Sequence, residues 1–339
     1  MARRWQIAEF GVDHLTCVDT DPVDPGPGEV RLRMSAVSLN YRDLLMVRGE
    51  YDPRVRRPLV PCSDGVGVVE AVGPGVTASV GERRIPLFAA GWLSGPPRAE
   101  HLATTRGGPL PGTLQTHLTL PVEATVRAPE GLSDAECATL PCAGVTAWHA
   151  LQAAGVTAGS TVVTLGTGGV SIFALQLARA MGARVAVTSS SDAKLERARE
   201  LGAELTVNYA IDPGWGREVA RWAGGSGVDA VIEVGGAGTI AESLRAVRVG
   251  GTIAMIGVLD GGVGEVPLVR ALMRSVRIQG ILVGSRDHLE ALVRVLSPGV
   301  RPVIDSTFGF EEAPEAFEHL ASAAHFGKVV VHVDSPEGA

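Results

Sequence analysis

The stretch "TLPCAGVTAW" (139–148) places Cys142 between a proline and an alanine–glycine pair, just before a predicted helix. A thiol in such a position is able to bind a metal, to attack a substrate, or to remain buried and unreactive. The role of nucleophile needs an activating base, and His149 is an unfavourable partner because it follows roughly two helical turns later. The choice between the other two roles depends on which residues the fold brings to Cys142.

A glycine-rich turn separates a strand-like from a helix-like segment in "TVVTLGTGGVSIFALQLARA" (161–180). A dinucleotide pyrophosphate needs close approach of the backbone and free N–H groups at a helix start, and such a turn provides both. Ser171 takes the place of the third glycine of G-x-G-x-x-G, and a residue this small still allows the helix to pack on the strand. The pattern predicts a dinucleotide site formed by Gly166, Thr167, Gly168, Gly169 and Val170.

The next predicted strand ends in "TSSSDAKLERA" (188–198), about 20 residues beyond the first glycine, where an NAD site has a carboxylate for the ribose 2′-hydroxyl. Hydroxyls at 188–191 and the nearby Lys194 suit a 2′-phosphate instead. The same hydroxyls would also serve as a helix N-cap, and Asp192 is a carboxylate close by. We predict NADP(H) in preference to NAD(H), with contacts from Ser189, Ser190, Lys194 and Tyr209.

These motifs lie in two regions with different patterns. Residues 1–128 contain short strands between Gly and Pro turns, whereas from about residue 160 apolar strands alternate with helices of period 3.6. The second pattern predicts a parallel sheet covered on both faces. We therefore predict an α/β chain with a β-rich catalytic domain (1–128 and 283–339) and a doubly wound Rossmann domain (129–282).

Composition limits the classes of function. Hydrophobic residues make up 45% and charged residues 20% of the 339, as in globular proteins. The net charge of −7 argues against nucleic acid as a partner, and no apolar run approaches the ~18 residues of a membrane span. Four cysteines without a CxxC pair suit a reducing compartment, so we expect a cytoplasmic protein with a small-molecule substrate.

Six segments in fixed order resemble the medium-chain dehydrogenase/reductase superfamily. They are "PGEVRLRMSAVSLNYRDLLMVRGEY" (27–51), "DGVGVVEAVGPGV" (64–76), "LPCAGVTAWHAL" (140–151), "GTGGVSIFALQLARAMGARV" (166–185), "VDAVIEVGG" (228–236) and "HFGKVVV" (325–331). The zinc-free quinone oxidoreductase and enoyl reductase branches are most similar, although such chains often carry the label of a zinc-type alcohol dehydrogenase. The resemblance implies a GroES-like fold for the β-rich domain and a homodimer through the edge strand near 276–284.

Zinc enzymes of this superfamily take a Cys, a His and a second Cys from three of these segments. The matching positions here hold Asn40, Ser63 and Cys142, and one thiolate is insufficient for a catalytic zinc. The four-cysteine lobe of the structural zinc is also missing, since residues 86–112 contain no Cys. We therefore predict that no zinc is bound.

Without a metal, hydride transfer to an enone, enoyl thioester or quinone is favoured, because the charge spreads onto a conjugated oxygen. The carboxamide of Asn40 is suited to donate to that oxygen, or else to brace its loop. Tyr51 resembles the proton donor of enoyl reductases, or else it anchors a loop beside Pro53. Lys328 occupies a recurring position whose role the sequence does not explain.

Further cofactor contacts are predicted at the carboxyl ends of the parallel strands and at the start of the helix that links the domains. These residues are Thr146, Gly235, Gly257, Val258, Val283 and Ser285. Two alternatives to the conjugated-carbonyl reductase remain at this point. One is an alcohol or ketone dehydrogenase, and the other is a cofactor-binding protein with little turnover.

Overall fold

The computed structural model describes residues 2–296 and 300–333. The chain divides into two compact units, Met1–Val145 with Gly284–Ala339, and Thr146–Val283. Residues 129–145 thus belong to the first unit, whereas the sequence pattern assigned them to the dinucleotide-binding domain. The physical reason is a short helix, Asp134–Ala138, that packs on three strands of the first unit.

The secondary structure of the described residues is mixed. The strands are β1 (Ala2–Ile7), β2 (Leu15–Thr20), β3 (Glu29–Leu39), β4 (Asp64–Val72), β5 (Arg83–Pro86), β6 (His117–Pro121), β7 (Thr125–Arg127), β8 (Thr161–Leu165), β9 (Arg184–Ser189), β10 (Leu205–Asn208), β11 (Val228–Glu233), β12 (Val247–Met255), β13 (Arg277–Gly280), β14 (Ile304–Gly309) and β15 (Lys328–His332). The α-helices are α1 (Tyr41–Arg48), α2 (Ala99–Leu102), α3 (Asp134–Ala138), α4 (Val145–Ala153), α5 (Gly169–Ala180), α6 (Asp192–Glu200), α7 (Trp215–Trp222), α8 (Ile240–Ala246), α9 (Leu268–Met273), α10 (Arg286–Leu296) and α11 (Ala313–Ala321).

The first unit is built on a seven-stranded sheet and a β1–β2 hairpin. The sheet has the order β14-β15-β3-β4-β5-β7, and β6 pairs with β3. Every pairing is antiparallel except that of β14 with β15. Strand β3 is central, which explains why its residues are continuously buried from Met34 to Leu39 instead of alternating.

The second unit contains six parallel strands in the order β10-β9-β8-β11-β12-β13. Numbered from β8, this is the order 3-2-1-4-5-6 of a doubly wound dinucleotide-binding fold, which confirms the predicted fold class. Strand β10 and helix α7 were not predicted, because residues 202–227 carry several glycines and polar residues around short apolar segments. The strand order reverses between β8 and β11, and ligands of such sheets bind at that point, beyond the carboxyl ends of the strands.

The sheet of the second unit ends in an exposed edge. All four residues of β13 are exposed, and Leu268, Val269, Leu272 and Met273 of α9 project their apolar side chains into solvent. Among the described residues, no helix is both long and apolar enough to cross a bilayer.

Candidate active site and dinucleotide site

Three strand ends of the first unit bring the candidate catalytic residues together. Strand β3 ends just before Asn40, while β4 and β15 begin at Asp64 and Lys328. Because both pairings with β3 are antiparallel, Ser38 lies opposite Asp64 and Leu39 lies opposite Val329. Residues far apart in sequence are therefore held within hydrogen-bonding distance by the sheet register.

A buried network of hydrogen bonds connects these side chains. The ammonium of Lys328, which is 3% exposed, donates to Asn40 Oδ1 and to the Leu39 carbonyl, each at 2.5 Å. Asn40 Nδ2 lies 3.5 Å from Ser63 Oγ, which in turn donates to Asp64 Oδ1 at 2.8 Å. The other Asp64 oxygen accepts from the backbone N–H of Cys142 at 3.1 Å. The fold thus joins the residues at all three zinc-ligand positions through Asp64.

Burial governs the ionisation of the acidic groups in this network. It raises the pKa of Asp64 to about 6, although the Lys328 ammonium acts in the opposite direction. It also raises the pKa of the Cys142 thiol, and the Asp64 carboxylate adds to this effect. Cys142 is therefore a protonated thiol at neutral pH and a poor nucleophile.

Tyr51, the predicted proton donor, is 49% exposed and lies next to Arg42. The Arg42 guanidinium is 5.5 Å from the centroid of the Tyr51 ring and 3.3 Å from Asp43 Oδ1. Asp43 in turn accepts from the backbone N–H of Asn40 at 2.9 Å. The side chain of Tyr51 is thus linked to Asn40 indirectly, through Arg42 and Asp43.

In the second unit, the glycine-rich turn follows β8 and opens α5, as predicted. Gly166 has a φ of 73°, which favours glycine, and Gly168 is the N-cap of α5 without a side-chain cap. A Cβ added at Gly168 would meet no described atom within 4 Å, so packing within the chain does not require glycine there. The residues 166–170 therefore form an open cradle at a helix N-terminus, which fits the pyrophosphate of a dinucleotide.

The tip of β9 lies beside this cradle, because Gly166 N–H donates to the Thr188 carbonyl at 2.8 Å. Ser189 is buried and Ser190 is exposed. Ser191 is the N-cap of α6 and accepts from the backbone N–H of Lys194, as the capping alternative predicted. The half-exposed Tyr209 donates its N–H to the Ser189 carbonyl at 3.1 Å.

Gly235 and Gly257 follow β11 and β12 at the same edge, but packing explains why they are glycines. A Cβ at Gly235 would lie 2.4 Å from Thr239 Oγ1, and one at Gly257 would lie 2.6 Å from the Val234 carbonyl oxygen. The sequence reasoning missed Glu233, a buried carboxylate that accepts from the N–H groups of Gly235 and Gly236 and from the Thr239 hydroxyl. The sequence signal that could have indicated Glu233 is a carboxylate at the end of an apolar strand, shortly before two glycines.

The remaining predicted contacts are dispersed. Thr146 is buried at the start of α4, and Val258 is exposed after β12. The Val283 carbonyl accepts from His149 Nδ1 at 2.7 Å. Ser285 belongs to the first unit, where its hydroxyl lies 2.9 Å from His288 Nδ1. The sequence reasoning also missed Arg42 and Asp64, and nothing in their spacing distinguished them from loop residues. Asp43 was expected from the sequence to orient its loop, and it accepts from the Asn40 N–H in the structure.

Two family models match the chain. The model described as alcohol dehydrogenase GroES-like domain matches residues 26–130, and the model described as zinc-binding dehydrogenase matches residues 169–297. The second match contains none of the three zinc-ligand positions. Within 2–296 and 300–333, no group of three or more His, Cys, Asp or Glu residues is arranged to hold a metal ion.

Similar proteins cover almost the whole chain. A zinc-type alcohol dehydrogenase-like protein of Schizosaccharomyces pombe is 41% identical over 98% of this chain and 100% of its own length. An acryloyl-coenzyme A reductase of Metallosphaera sedula is 31% identical, with 91% and 93% of the two chains covered.

Solved structures show the same arrangement of elements. A candidate alcohol dehydrogenase from Sinorhizobium meliloti 1021 has a TM-score of 0.92 at 42% identity and 98% coverage of both chains. An NAD-dependent alcohol dehydrogenase has a TM-score of 0.90 at 33% identity, covering 98% of this chain and 100% of that one. A mycobacterial protein in complex with NADPH has a TM-score of 0.82 at 26% identity, also covering 98% and 100%. The chain therefore belongs to the medium-chain dehydrogenase/reductase superfamily and is an oxidoreductase of that type.

Proposed function

We propose that this oxidoreductase is NADPH-dependent and zinc-independent, and that it transfers hydride to a conjugated carbonyl (an enone or an enoyl thioester) or to a quinone. One observation carries the proposal. The buried ammonium of Lys328 binds Asn40 Oδ1 at the position where zinc enzymes of the superfamily have a cysteine ligand.

The residues at the three ligand positions do not fit a zinc ion. Asn40 offers a neutral carboxamide, Ser63 a neutral hydroxyl and Cys142 a thiol that burial keeps protonated. Protein zinc is held by thiolates, imidazoles and carboxylates, so this set is too weak. The Lys328 ammonium would also repel a divalent cation beside Asn40.

The same network suits the reduction of a conjugated C=C bond or a quinone. Negative charge then develops on a carbonyl oxygen that is part of a conjugated system, and neutral hydrogen-bond donors are able to stabilise it. Asn40 Nδ2 is held only loosely by Ser63, at 3.5 Å, while the ammonium polarises the carboxamide through Oδ1. A nicotinamide held at the glycine-rich turn of residues 166–170 would supply the hydride, and Tyr51 would supply the proton to the α-carbon of the conjugated system.

The preference for NADPH is supported by the tip of β9. Ser189 is the last residue of β9 and Ser190 follows it. Neither position holds a carboxylate. The nearest carboxylate, Asp192, already accepts a hydrogen bond from Asn208 Nδ2 at 2.8 Å. One similar structure contains NADPH and another protein is named NAD-dependent, so the preference is a proposal for this chain and is tested below.

A second candidate function is that of an alcohol or ketone dehydrogenase. It is favoured by the names of the Schizosaccharomyces pombe and Sinorhizobium meliloti proteins. The acryloyl-coenzyme A reductase of Metallosphaera sedula, whose name gives a conjugated thioester as its substrate, favours the first candidate.

We further propose a homodimer through β13. An exposed edge strand is a template for pairing with a second chain, and the apolar face of α9 lies directly before it in sequence. Two copies related by a twofold axis would pair β13 with β13 and cover Leu272 and Met273.

The function is tested by an NADPH-oxidation screen with quinones, enones, enoyl thioesters, aldehydes and ketones, with and without a metal chelator. We expect turnover of the conjugated substrates, no effect of the chelator, and far less than one zinc per chain by elemental analysis. Stoichiometric zinc, together with alcohol oxidation that the chelator abolishes, would establish the second candidate instead.

Lys194→Ala is expected to weaken NADPH binding by about 1 to 3 kcal/mol, because a charge-assisted contact with the 2′-phosphate is lost. NADH, which lacks this phosphate, should bind as before, and Lys194→Arg should retain most of the NADPH affinity. The measurement is the dissociation constant for each cofactor from tryptophan fluorescence quenching. Equal losses for both cofactors would refute the assignment.

Tyr51→Phe is expected to lower kcat on an enone on the order of 100-fold, because the proton donor is removed while the ring stays. KM should change much less, since the substrate-binding groups remain. The matched control is Tyr41→Phe, another half-exposed tyrosine, at the start of α1. An unchanged kcat in Tyr51→Phe would remove Tyr51 from the mechanism.

Ile278→Lys is expected to convert the dimer into a monomer, because a charged residue on an edge strand opposes pairing with a second strand. The molar mass is measured by size-exclusion chromatography with light scattering. Val80→Lys, which places the same charge at an exposed valine of the first unit, is the control. A wild-type chain that elutes as a monomer would contradict the proposed interface.

A further inference from the structure

A cavity lined mainly by arginines lies in the second unit, outside both the candidate active site and the dinucleotide site. Its volume is about 450 Å³, and helices α7, α8 and α9 contribute most of its lining. Five of the seven lining residues are arginines, namely Arg217, Arg221, Arg245, Arg270 and Arg274. Because the chain as a whole has a net charge of −7, this cavity is a local concentration of positive charge.

The cavity lies at the amino-terminal edge of the parallel sheet. Helix α8 ends directly before β12, while Gly225 and Arg274 come shortly before β11 and β13. In a parallel sheet the amino ends of all strands share one edge, and the glycine-rich turn of residues 166–170 follows the carboxyl end of β8 at the other edge. The cavity is therefore separate from the dinucleotide site.

The carboxylates of the same helices compensate only one of the five arginines. Glu242 pairs with Arg245, three residues later on α8. Glu218 of α7 forms no ion pair within the described residues. In the part of the chain that the structure describes, three exposed arginines form neither an ion pair nor a side-chain hydrogen bond, and these are Arg217, Arg221 and Arg270.

Stabilisation of the helices explains only part of this charge. The Arg274 guanidinium donates to the carbonyls of Leu244 and Arg245 at 3.4 Å, and these acceptors at the end of α8 are neutral. The C-terminus of a helix carries roughly half a negative charge, which favours Arg221 in the last turn of α7. Arg217 lies in the first turn of the same helix, where the helix dipole disfavours a cation.

We propose that this cavity binds a chain of two or three phosphate groups, either inorganic or as part of a nucleotide. Such a chain carries about three or four negative charges at neutral pH, and four of the five guanidinium groups have no carboxylate. Guanidinium groups match phosphate oxygens with paired, charge-assisted hydrogen bonds. A single phosphate would leave much of the positive charge uncompensated.

The lining restricts the contacts to the phosphates. Besides the arginines it contains only Ala220 and Gly225, so it offers no aromatic ring on which a base could stack. The volume lies in the range of about 300 to 1,000 Å³ that is typical of small-molecule sites. Arg270 and Arg274 are four residues apart and lie on a different face of α9 from the exposed Leu272, so the proposed dimer would leave them accessible.

The test is a calorimetric titration of the full chain with tripolyphosphate, ATP, orthophosphate and citrate at about 0.1 M salt, where long-range attraction is screened. We expect one tripolyphosphate per chain, bound at least about 10-fold more tightly than orthophosphate or citrate. ATP that binds as tightly as tripolyphosphate would identify a nucleotide as a source of the phosphate chain, and much weaker ATP binding would identify an inorganic polyphosphate. Citrate that binds as tightly as tripolyphosphate, or no binding of tripolyphosphate, would overturn the proposal.

Substitutions locate the bound anion. Arg217→Gln and Arg221→Gln are each expected to weaken tripolyphosphate binding about 10-fold, and together about 100-fold, because each removes a charge-assisted contact. Arg199→Gln, which removes an exposed arginine of α6, is the matched control and should bind as the wild type does. Equal losses in Arg217→Gln and Arg199→Gln would reduce the effect to general attraction and contradict a site. A loss confined to Lys194→Ala would place the anion at the dinucleotide site instead, which also contradicts the proposal.

Thermal unfolding separates ligand binding from a purely structural role. Without anion, Arg217→Gln should unfold at the wild-type Tm or above it, because repulsion between guanidinium groups is reduced. Tripolyphosphate should raise the Tm of the wild type and not that of the double variant. A lowered Tm of Arg217→Gln, combined with wild-type affinity for tripolyphosphate, would assign the arginine to helix stability and overturn the proposal. None of these measurements uses hydride transfer, so their outcome is independent of the proposed reaction.

Discussion

The contact between the Lys328 ammonium and Asn40 is the interaction on which the rest of the candidate active site depends. The ammonium joins the end of β3 to the start of β15, and through Asn40 and Ser63 it is connected to the start of β4. A buried ammonium is tolerated only when its donors are satisfied and a carboxylate lies near, and Asp64 meets the second condition. Without this cation, the pKa of Asp64 would be higher, because the Lys328 ammonium is the largest influence that opposes the effect of burial.

This arrangement has consequences for the chemistry of the first unit. In the proposed reaction, the chain itself supplies a fixed positive charge beside Asn40, so the polarisation of a substrate oxygen would not have to come from a metal. The interior of the first unit therefore contains buried charges, and each of them needs a nearby group of opposite charge. The pairs Arg42–Asp43 and Lys328–Asp64 provide most of this compensation.

The second unit uses its glycines in two different ways. At Gly235 and Gly257 a side chain would collide with neighbouring atoms, so glycine is needed for packing. At Gly168 the space above the backbone is open, and the helix behind it begins without a side-chain cap. Only the second kind of glycine points to a ligand, and Glu233 fixes the neighbouring turn by accepting its N–H groups.

The sequence by itself determined the doubly wound fold class, the glycine-rich turn and the residue types at the positions matched to the zinc ligands, because these depend on local patterns and on the residues present. It also singled out Lys328, but not its role, since that role depends on pairing β15 with β3, almost 300 residues away in sequence. The tertiary structure decided which charges meet. Arg42 and Asp43 are adjacent residues of α1, whereas Asp64 begins β4, and no spacing in the chain indicates that Asp43, Asp64 and Lys328 are buried close to one another. Burial and charge balance are properties of the folded interior, so only the folded chain displays them.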